Sequence, residues 1–394
     1  MHDIHVRPTP HADAAKPAPR IADVPAGATG VITIDLVQVR ANWRALARHV
    51  APAECAAVVK ADAYGLGAAR VIPALLDAGC RTFFVATLEE AHSARALAPG
   101  AAIFILDGLL PRTEKHVANL CAIPVLSSLD EIRAWVSLGA GARRAPPAAL
   151  QLDTGLNRLG LRAGEVARLA GDAVLLRQLE LALVMSHLAC ADEAGHPMNQ
   201  EQLDTFMRLR AQLPPTRSSL AASDGLMLGP AFHFDLVRPG YALYGGQAAP
   251  QRVMPVRPVV RVSARILQVQ DVPAGGRVGY SASYRATSPR RIATIAAGYA
   301  DGVFRHASAT NDTPGGAVLI GGRRAPIVGR VSMDLITVDV TDLGELAPTR
   351  GDWADLVAPE LPIESVGGSA KTIGYEVLTR LGPRFNRVYL DEAN

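Results

Sequence analysis

Short, continuously apolar runs recur along the first two thirds of the chain. Eight of them are 56–61, 82–87, 102–107, 123–128, 149–154, 181–187, 218–223 and 236–240. Between most of these runs, apolar residues recur with helical periodicity, as in 129–138, 163–176 and 200–213. Eight buried strands alternating with helices predict a parallel (β/α)8 TIM-type barrel. An open, doubly wound sheet is the alternative, because counting strands does not show whether the first and last pair.

The pattern changes beyond about residue 256, where helical periodicity gives way to short strands separated by Gly, Pro and Asp. The predicted strands are 259–270, 291–297, 317–321, 325–331 and 335–340, with one helix at 373–381. We therefore expect an α/β barrel domain over residues 30–255, in which a strand at 31–36 and a helix at 37–50 come before the eight barrel strands. A mostly β C-terminal domain is expected over 256–394.

Residues 1–29 contain five prolines among Ala, His and Asp, with almost no apolar periodicity. Such a segment buries too little surface to fold, so a disordered N-terminal tail is predicted. His2, His5 and His11 lie in this tail, where solvated side chains are favoured over a metal site. No metal is expected.

The charge balance argues against polyanionic partners. The 394 residues include 40 basic and 37 acidic side chains, for a net charge of +3, and no dense basic run is present. No apolar run approaches the ~20 residues of a membrane helix, and the N-terminus lacks a secretory apolar segment. The four cysteines lack paired metal-ligand spacing, which favours buried thiols in a reducing cytoplasm. We expect a cytoplasmic protein without nucleic-acid or membrane partners.

Lys60 is the most informative single residue, in the run Val-Val-Lys-Ala-Asp-Ala-Tyr-Gly at 58–65. It is predicted to end a buried strand, and burial lowers the pKa of an amine. A neutral amine is what Schiff-base chemistry requires, and barrel enzymes carry reactive groups at the carboxyl ends of their strands. The alternative is a lysine whose amine reaches solvent at the rim.

Other predicted barrel strands also end in polar residues: Asp153, His187, Ser223 and Arg238. Each has a structural explanation, such as a helix cap or a packed histidine. Together they predict a cationic, hydroxyl-bearing mouth around Lys60, suited to an anionic phosphate cofactor.

Eight ordered motifs resemble those of alanine racemases, over residues 31 to about 390. They lie at 59–65, 153–160, 186–192, 237–245, 278–280, 298–302, 331–334 and 374–376. The resemblance implies an isomerase that interconverts L- and D-alanine with pyridoxal 5′-phosphate (PLP). It also implies a PLP-binding barrel, a β domain and a homodimer with shared active sites.

The resemblance further implies a role for each matching residue. Lys60 would hold PLP as an internal aldimine and serve as one base, and Tyr280 from the partner's β domain would be the second. Residues implied to hold the phosphate are Tyr64, Ser223, Gly240, Tyr241 and Tyr375. Around the ring, the resemblance implies His187 against its face, Arg158 at its hydroxyl and Arg238 at its nitrogen. Arg158 is also implied to contact the substrate, and the partner's Tyr299 and Met333 to bind the substrate carboxylate.

Arg238 bears on the type of reaction. A guanidinium group only donates hydrogen bonds and has a pKa above ~12, so the ring nitrogen it contacts stays largely neutral. The cofactor is then a weaker electron sink, which favours racemisation over transamination, where an acidic partner is expected.

The sequence departs from the family pattern at three positions. Gln151 stands where many members have a carbamylated lysine that supports the arginine matching Arg158, so any support here is uncharged. Leu66 replaces a common His, and Ala222 replaces a common Asn. None of these changes removes a predicted catalytic group.

The pattern leaves three kinds of rival function. Within the fold, the rivals are an amino-acid decarboxylase, which would not need Tyr280 as a base, and a racemase for another amino acid. A PLP-binding regulatory protein would consist of a barrel alone, and a nonenzymatic scaffold would leave Lys60, Tyr280 and Arg238 unexplained. Supply of D-alanine for peptidoglycan and alanine catabolism both remain open as cellular roles.

Overall fold

The computed structural model describes residues 24–139, 144–247 and 253–391. Most of the predicted N-terminal tail, with His2, His5 and His11, lies outside the described residues. Its last part, 24–29, contains a turn in which the Ala28 N–H donates to the Pro25 carbonyl at 2.8 Å.

The first part of the chain alternates strands and helices. Its elements are β1 (Gly30–Asp35), α1 (Leu36–Val50), β2 (Glu54–Cys55), β3 (Ala57–Val58), the helical turn α2 (Lys60–Tyr64), α3 (Ala68–Ala78), β4 (Thr82–Val85), α4 (Leu88–Leu97), β5 (Ala102–Ile105), α5 (Glu114–Asn119), β6 (Ile123–Leu126), α6 (Leu129–Ser137), β7 (Pro147–Gln151), α7 (Ala163–Gly171), α8 (Ala173–Gln178), β8 (Glu180–Met185), α9 (Pro197–Arg210), β9 (Ser218–Ser219) and β10 (Leu236–Val237).

Strands β3 to β9 pair in parallel and in chain order. The sheet closes through β10, which pairs in parallel with β2, directly before β3. The Val58 N–H donates to the Pro239 carbonyl at 2.9 Å, and a parallel bridge joins Ala222 to Arg238. The predicted barrel is therefore confirmed, and an open sheet is excluded because the first and last strands meet.

Helix α6 shows how the sequence directs an element onto this barrel. Ser128 caps its N-terminus by accepting a hydrogen bond from the Glu131 N–H at 3.2 Å. Apolar residues then recur at helical spacing, and the buried ones are Leu129, Ile132, Trp135 and Val136. This face packs inward and leaves the polar face to solvent.

The remaining elements form a mostly β C-terminal domain, as predicted. They are β11 (Val260–Val272), β12 (Arg277–Val278), β13 (Tyr284–Arg285), β14 (Arg290–Ile295), β15 (Ala317–Ile320), β16 (Arg323–Pro326), β17 (Ile336–Asp339), β18 (Trp353–Val357), α10 (Ile363–Ser369), α11 (Gly374–Thr379) and β19 (Asn386–Leu390). The long strand β11 is central and pairs antiparallel with β1, β14 and β18.

Strand β1 corrects the predicted extent of the barrel, which was placed from residue 30 onward. It lies in the C-terminal sheet, between β11 and β19. Ile32 and Ile34 are fully buried there. Apolar residues show that a strand is buried but not which sheet it joins, so the sequence pattern could not reveal this pairing.

Several other element boundaries differ from prediction, and two of them have a clear local origin. The strand predicted at 56–61 ends at Val58, and Lys60 begins the turn α2. The helix predicted at 163–176 is split into α7 and α8 at Asp172, whose Oδ1 accepts from the Leu175 N–H at 3.0 Å and starts a new helix.

Candidate active site

Lys60 begins a turn of unusual handedness at the carboxyl end of the first barrel strand. The next four residues, 61–64, have φ angles of 52°, 54°, 53° and 58°, a left-handed conformation that L-residues other than Gly resist. Glu90 holds this turn: its Oε1 accepts from the Ala61 N–H and its Oε2 from the Ala86 N–H, both at 2.7 Å. Glu90 thus joins the lysine turn to the end of β4.

The charge state of Lys60 is shifted by its surroundings. Burial lowers the pKa of its amine, and the nearby Arg158 guanidinium lowers it further. Asp107 and Glu90 act in the opposite direction but do not prevent the net lowering. A lowered pKa enlarges the neutral fraction, the form that attacks a carbonyl.

Arg238 lies buried, with 3% of its surface exposed. Its Nη2 donates to the Ser186 carbonyl at 2.7 Å and the Leu220 carbonyl at 3.3 Å, and its Nη1 donates to the Ser219 hydroxyl. Burial lowers its pKa to about 9, so it remains charged at neutral pH. Among the described residues no carboxylate pairs with it, and no acceptor contacts its Nε.

His187 lies beside this guanidinium, with its Nδ1 3.5 Å from Arg238 Nη2. Burial, followed by the charges of Arg238, Arg158 and Lys60, lowers the pKa of the imidazole to about 3. The ring is therefore neutral at physiological pH and offers a flat surface rather than a charge.

Ser223 and Gly240 meet where the seventh and eighth strands end. Ser223 Oγ accepts from the Gly240 N–H at 3.0 Å and from the Ala242 N–H at 3.1 Å. A Cβ placed on Gly240 would lie 2.3 Å from the Tyr64 hydroxyl oxygen, so this position requires glycine. The Ser223 hydroxyl, the Gly240 and Ala242 N–H groups and the Tyr64 hydroxyl therefore lie close together.

Tyr241 and Tyr375 complete the group of predicted phosphate residues. Their rings stack with centroids 3.9 Å apart and planes at 13°. The Tyr241 hydroxyl donates to Glu364 Oε1 at 2.8 Å, and the Tyr375 hydroxyl donates to Asp224 Oδ2 at 3.0 Å. Tyr375 lies on α11, so the C-terminal domain closes one side of the barrel mouth.

Arg158 lies exposed in the loop that follows β7. The backbone of this loop is held by Asp153, whose Oδ1 accepts from the Gly155 and Asn157 N–H groups, both at 3.0 Å. Gln151 is buried, and its Nε2 donates to the Leu159 carbonyl at 3.2 Å. Gln151 therefore supports the loop backbone without a charge.

Tyr280, Tyr299 and Met333 are the site residues that the resemblance assigns to the partner subunit. They lie on the C-terminal domain with 71%, 41% and 54% of their surfaces exposed. Within the described ranges, no hydrogen bond or ring contact joins them to Lys60. Three exposed apolar side chains on one domain leave a surface that a second molecule can cover.

The segments carrying Tyr299 and Met333 are joined to one another. The Ala300 N–H donates to the Met333 carbonyl at 3.0 Å. Arg384 pairs with both Asp301 and Asp334 at 2.7 Å. Arg384 therefore holds the two segments in fixed relation.

Comparison with known proteins identifies the family. The family model for the alanine racemase N-terminal domain matches residues 34–248, and that for the C-terminal domain matches residues 259–389. The chain belongs to the alanine racemase family.

Alanine racemases from several bacteria resemble it over nearly their full length. That of Methylobacterium nodulans is 47% identical over 363 residues, covering 92% of this chain and 96% of the relative. That of Brucella abortus is 46% identical over 382 residues, covering 93% and 95%.

Solved alanine racemase structures share the fold. The Bartonella henselae enzyme, with covalently bound pyridoxal phosphate, has a TM-score of 0.88 at 44% identity, covering 92% of this chain and all of the other. The biosynthetic alanine racemase of Pseudomonas aeruginosa has a TM-score of 0.85 at 35% identity, with coverage of 92% and 100%. The predicted family, PLP dependence and alanine racemase activity are confirmed, in preference to the rival functions.

Three residues of this site were missed by sequence reasoning: Glu90, Asp224 and Arg384. Glu90 and Arg384 do not lie at predicted strand ends, and Asp224 is the residue after the predicted end at Ser223. Each acts through contacts with distant backbone or side chains.

Across the described ranges, no helix is both long and apolar enough to cross a membrane.

Proposed function

We propose that this alanine racemase uses two bases, Lys60 of one chain and Tyr280 of the partner subunit, on opposite faces of the substrate Cα. The observation that carries the proposal is the separation of the two groups. Lys60 lies in the barrel mouth with a lowered pKa, whereas Tyr280 is exposed on the other domain. A two-fold symmetric homodimer can bring each Tyr280 to the other chain's barrel.

The residues at the barrel mouth fit pyridoxal phosphate. Lys60 supplies an amine of lowered pKa for covalent attachment. The phosphate would be held by Ser223, the Gly240–Tyr241 backbone, Tyr64 and Tyr375. Glycine is needed at position 240 because a Cβ there would collide with the Tyr64 hydroxyl.

The ring would be held by His187, Arg158 and Arg238. The neutral His187 offers a packing surface, because its pKa of about 3 rules out a charged form at neutral pH. Arg158 would approach the ring hydroxyl and the substrate. Arg238, charged and without a carboxylate partner among the described residues, would donate to the ring nitrogen from its free Nε.

When bound, pyridoxal phosphate stabilises the negative charge that develops on Cα as its proton leaves. Lys60 removes or returns the proton on one face, and Tyr280 of the partner subunit does so on the other. Two bases are needed because inversion requires removal from one face and delivery to the opposite face. Tyr299 and the Met333 backbone of the partner subunit would bind the substrate carboxylate.

Subunit complementation tests this arrangement. Lys60→Ala and Tyr280→Phe are each expected to be inactive, and the two are mixed under conditions that exchange subunits. Random pairing makes about half of the dimers mixed, and each mixed dimer has one intact site of two, so about a quarter of wild-type activity should return. Tyr284→Phe, on the same domain, is the control and should retain activity alone. No recovery, with exchange verified by mass spectrometry, would refute the shared site.

We further propose a bacterial, cytoplasmic enzyme that supplies D-alanine for peptidoglycan. Support comes from the bacterial relatives and from the biosynthetic P. aeruginosa enzyme at 35% identity. Deleting the gene should make growth depend on added D-alanine. Unimpaired growth without it, combined with loss of growth on alanine as a carbon source, would instead indicate the catabolic role.

A further inference from the structure

Asp224 places a carboxyl group beside the proposed phosphate site. It directly follows Ser223 at the start of the 3-10 turn Asp224–Leu228. Its Oδ2 accepts from the Tyr375 hydroxyl at 3.0 Å. Its Oδ1 is buried and has no hydrogen-bond partner among the described residues. A buried polar atom without a partner costs about 1–3 kcal/mol, and more if charged, so this oxygen calls for an explanation.

The surroundings of Asp224 disfavour its charged form. Burial raises the pKa of the carboxyl group, and the Asp192 carboxylate raises it further, against hydrogen bonds from Tyr375 and the Asp224 backbone. Neither lysine nor arginine is among the groups that act on it. Several titratable side chains act on Asp224 or are connected to it by charge interactions and hydrogen bonds. They are Asp192, Tyr64, Tyr241, Tyr375 and Glu364.

We propose that Asp224 is uncharged when the cofactor is bound and donates a hydrogen bond from its carboxyl O–H to the phosphate. The inference rests on the proposed phosphate site at Ser223 and Gly240. A carboxylate would repel the phosphate, whereas the neutral acid turns the unpartnered Oδ1 into a donor. The single O–H of Tyr375 stays on Oδ2, so Tyr375 holds the phosphate through Asp224, as its positioning residue, and not by a second hydrogen bond of its own.

A pH dependence follows from this protonation. Before the cofactor binds, Asp224 loses its proton as the pH rises through its raised pKa, and binding must then take up one proton. Affinity is therefore greatest below that pKa. Above it, affinity falls about tenfold per pH unit, until the still higher pKa of the bound state is reached.

The test compares wild type with Asp224→Asn, whose amide donates and accepts as the neutral acid does. Both full-length apoenzymes are titrated with pyridoxal phosphate across pH, and binding is followed by protein fluorescence. Lys60 and the phosphate titrate in both proteins, so the ratio of the wild-type to the variant dissociation constant isolates Asp224. We expect a ratio near one at low pH that rises about tenfold per pH unit above the carboxyl pKa.

Pyridoxal, which lacks the phosphate, serves as the control ligand and should give a ratio independent of pH. A flat ratio with pyridoxal phosphate, or weaker binding by Asp224→Asn at every pH, would overturn the proposal.

A second variant leaves Asp224 in place. Tyr375→Phe removes a hydrogen bond that stabilises the carboxylate, so the pH at which affinity begins to fall should move upward. An unchanged or lowered value would contradict the role given to Tyr375.

Ser223→Ala separates this inference from the proposed phosphate site. If that variant binds pyridoxal phosphate less tightly but pyridoxal normally, the site stands, and a flat Asp224 ratio then refutes only the protonation. If Ser223→Ala affects both ligands equally, the phosphate site is misplaced and the inference is refuted with it.

Discussion

Replacing Glu90 by glutamine should slow racemisation while leaving the barrel folded. The two carboxylate oxygens of Glu90 accept one N–H each, from Ala61 and Ala86, at 2.7 Å. Glutamine has a single acceptor oxygen, and its NH2 group would face the other N–H. One of the two contacts that hold the lysine turn is therefore lost.

The size of the effect follows from the strain in that turn. Each of the four left-handed residues at 61–64 costs about 1–2 kcal/mol, so together they require about 4–8 kcal/mol of compensation. A hydrogen bond to a charged group contributes about 1.5–3 kcal/mol, and partial exposure of Glu90 favours the lower value. If this loss is felt fully in the transition state, kcat/KM falls by at least about tenfold.

The assay measures kcat and KM for L-alanine by chiral chromatography, with cofactor content and melting temperature recorded in parallel. Glu89→Gln is the matched control, because it removes the same charge from the same helical turn at an exposed side chain. We expect Glu90→Gln to keep its cofactor and lose kcat, and Glu89→Gln to resemble wild type. Equal kcat values for the two variants would refute the positioning role of Glu90.

Three further outcomes are expected. Arg238→Glu should lower racemisation by several orders of magnitude and make pyruvate from transamination detectable, because an acidic partner keeps the ring nitrogen protonated; loss of activity without pyruvate would leave Arg238 a supporting role only. Activity should not respond to bicarbonate, because Gln151 cannot be carbamylated; a reproducible response would point to another residue. Arg384→Gln should raise KM for alanine severalfold with little change in kcat, because it removes the ion pairs that join the Tyr299 and Met333 segments through Asp301 and Asp334; an unchanged KM would contradict this.

The barrel could be predicted from the sequence because its parallel strands are buried on both faces and read as continuous apolar runs. The same property placed Lys60, His187, Ser223 and Arg238 near the carboxyl ends of barrel strands, although these strands end earlier than predicted, at Val58, Met185, Ser219 and Val237. These features depend on residues that are neighbours along the chain, so local pattern was sufficient.

Other features depend on contacts between distant segments, and only the tertiary structure decided them. Strand β1 is as apolar as the barrel strands, yet it pairs with β11, more than 200 residues away. The left-handed turn at 61–64 contains no glycine that would mark it in the sequence, and a hydrogen bond to the Glu90 carboxylate from another helix offsets part of its strain. The role proposed for Asp224 likewise depends on a hydrogen bond from the Tyr375 hydroxyl, which folding brings to it on α11. Hydrophobicity along a chain specifies what is buried, whereas pairing and charge depend on which groups folding brings together.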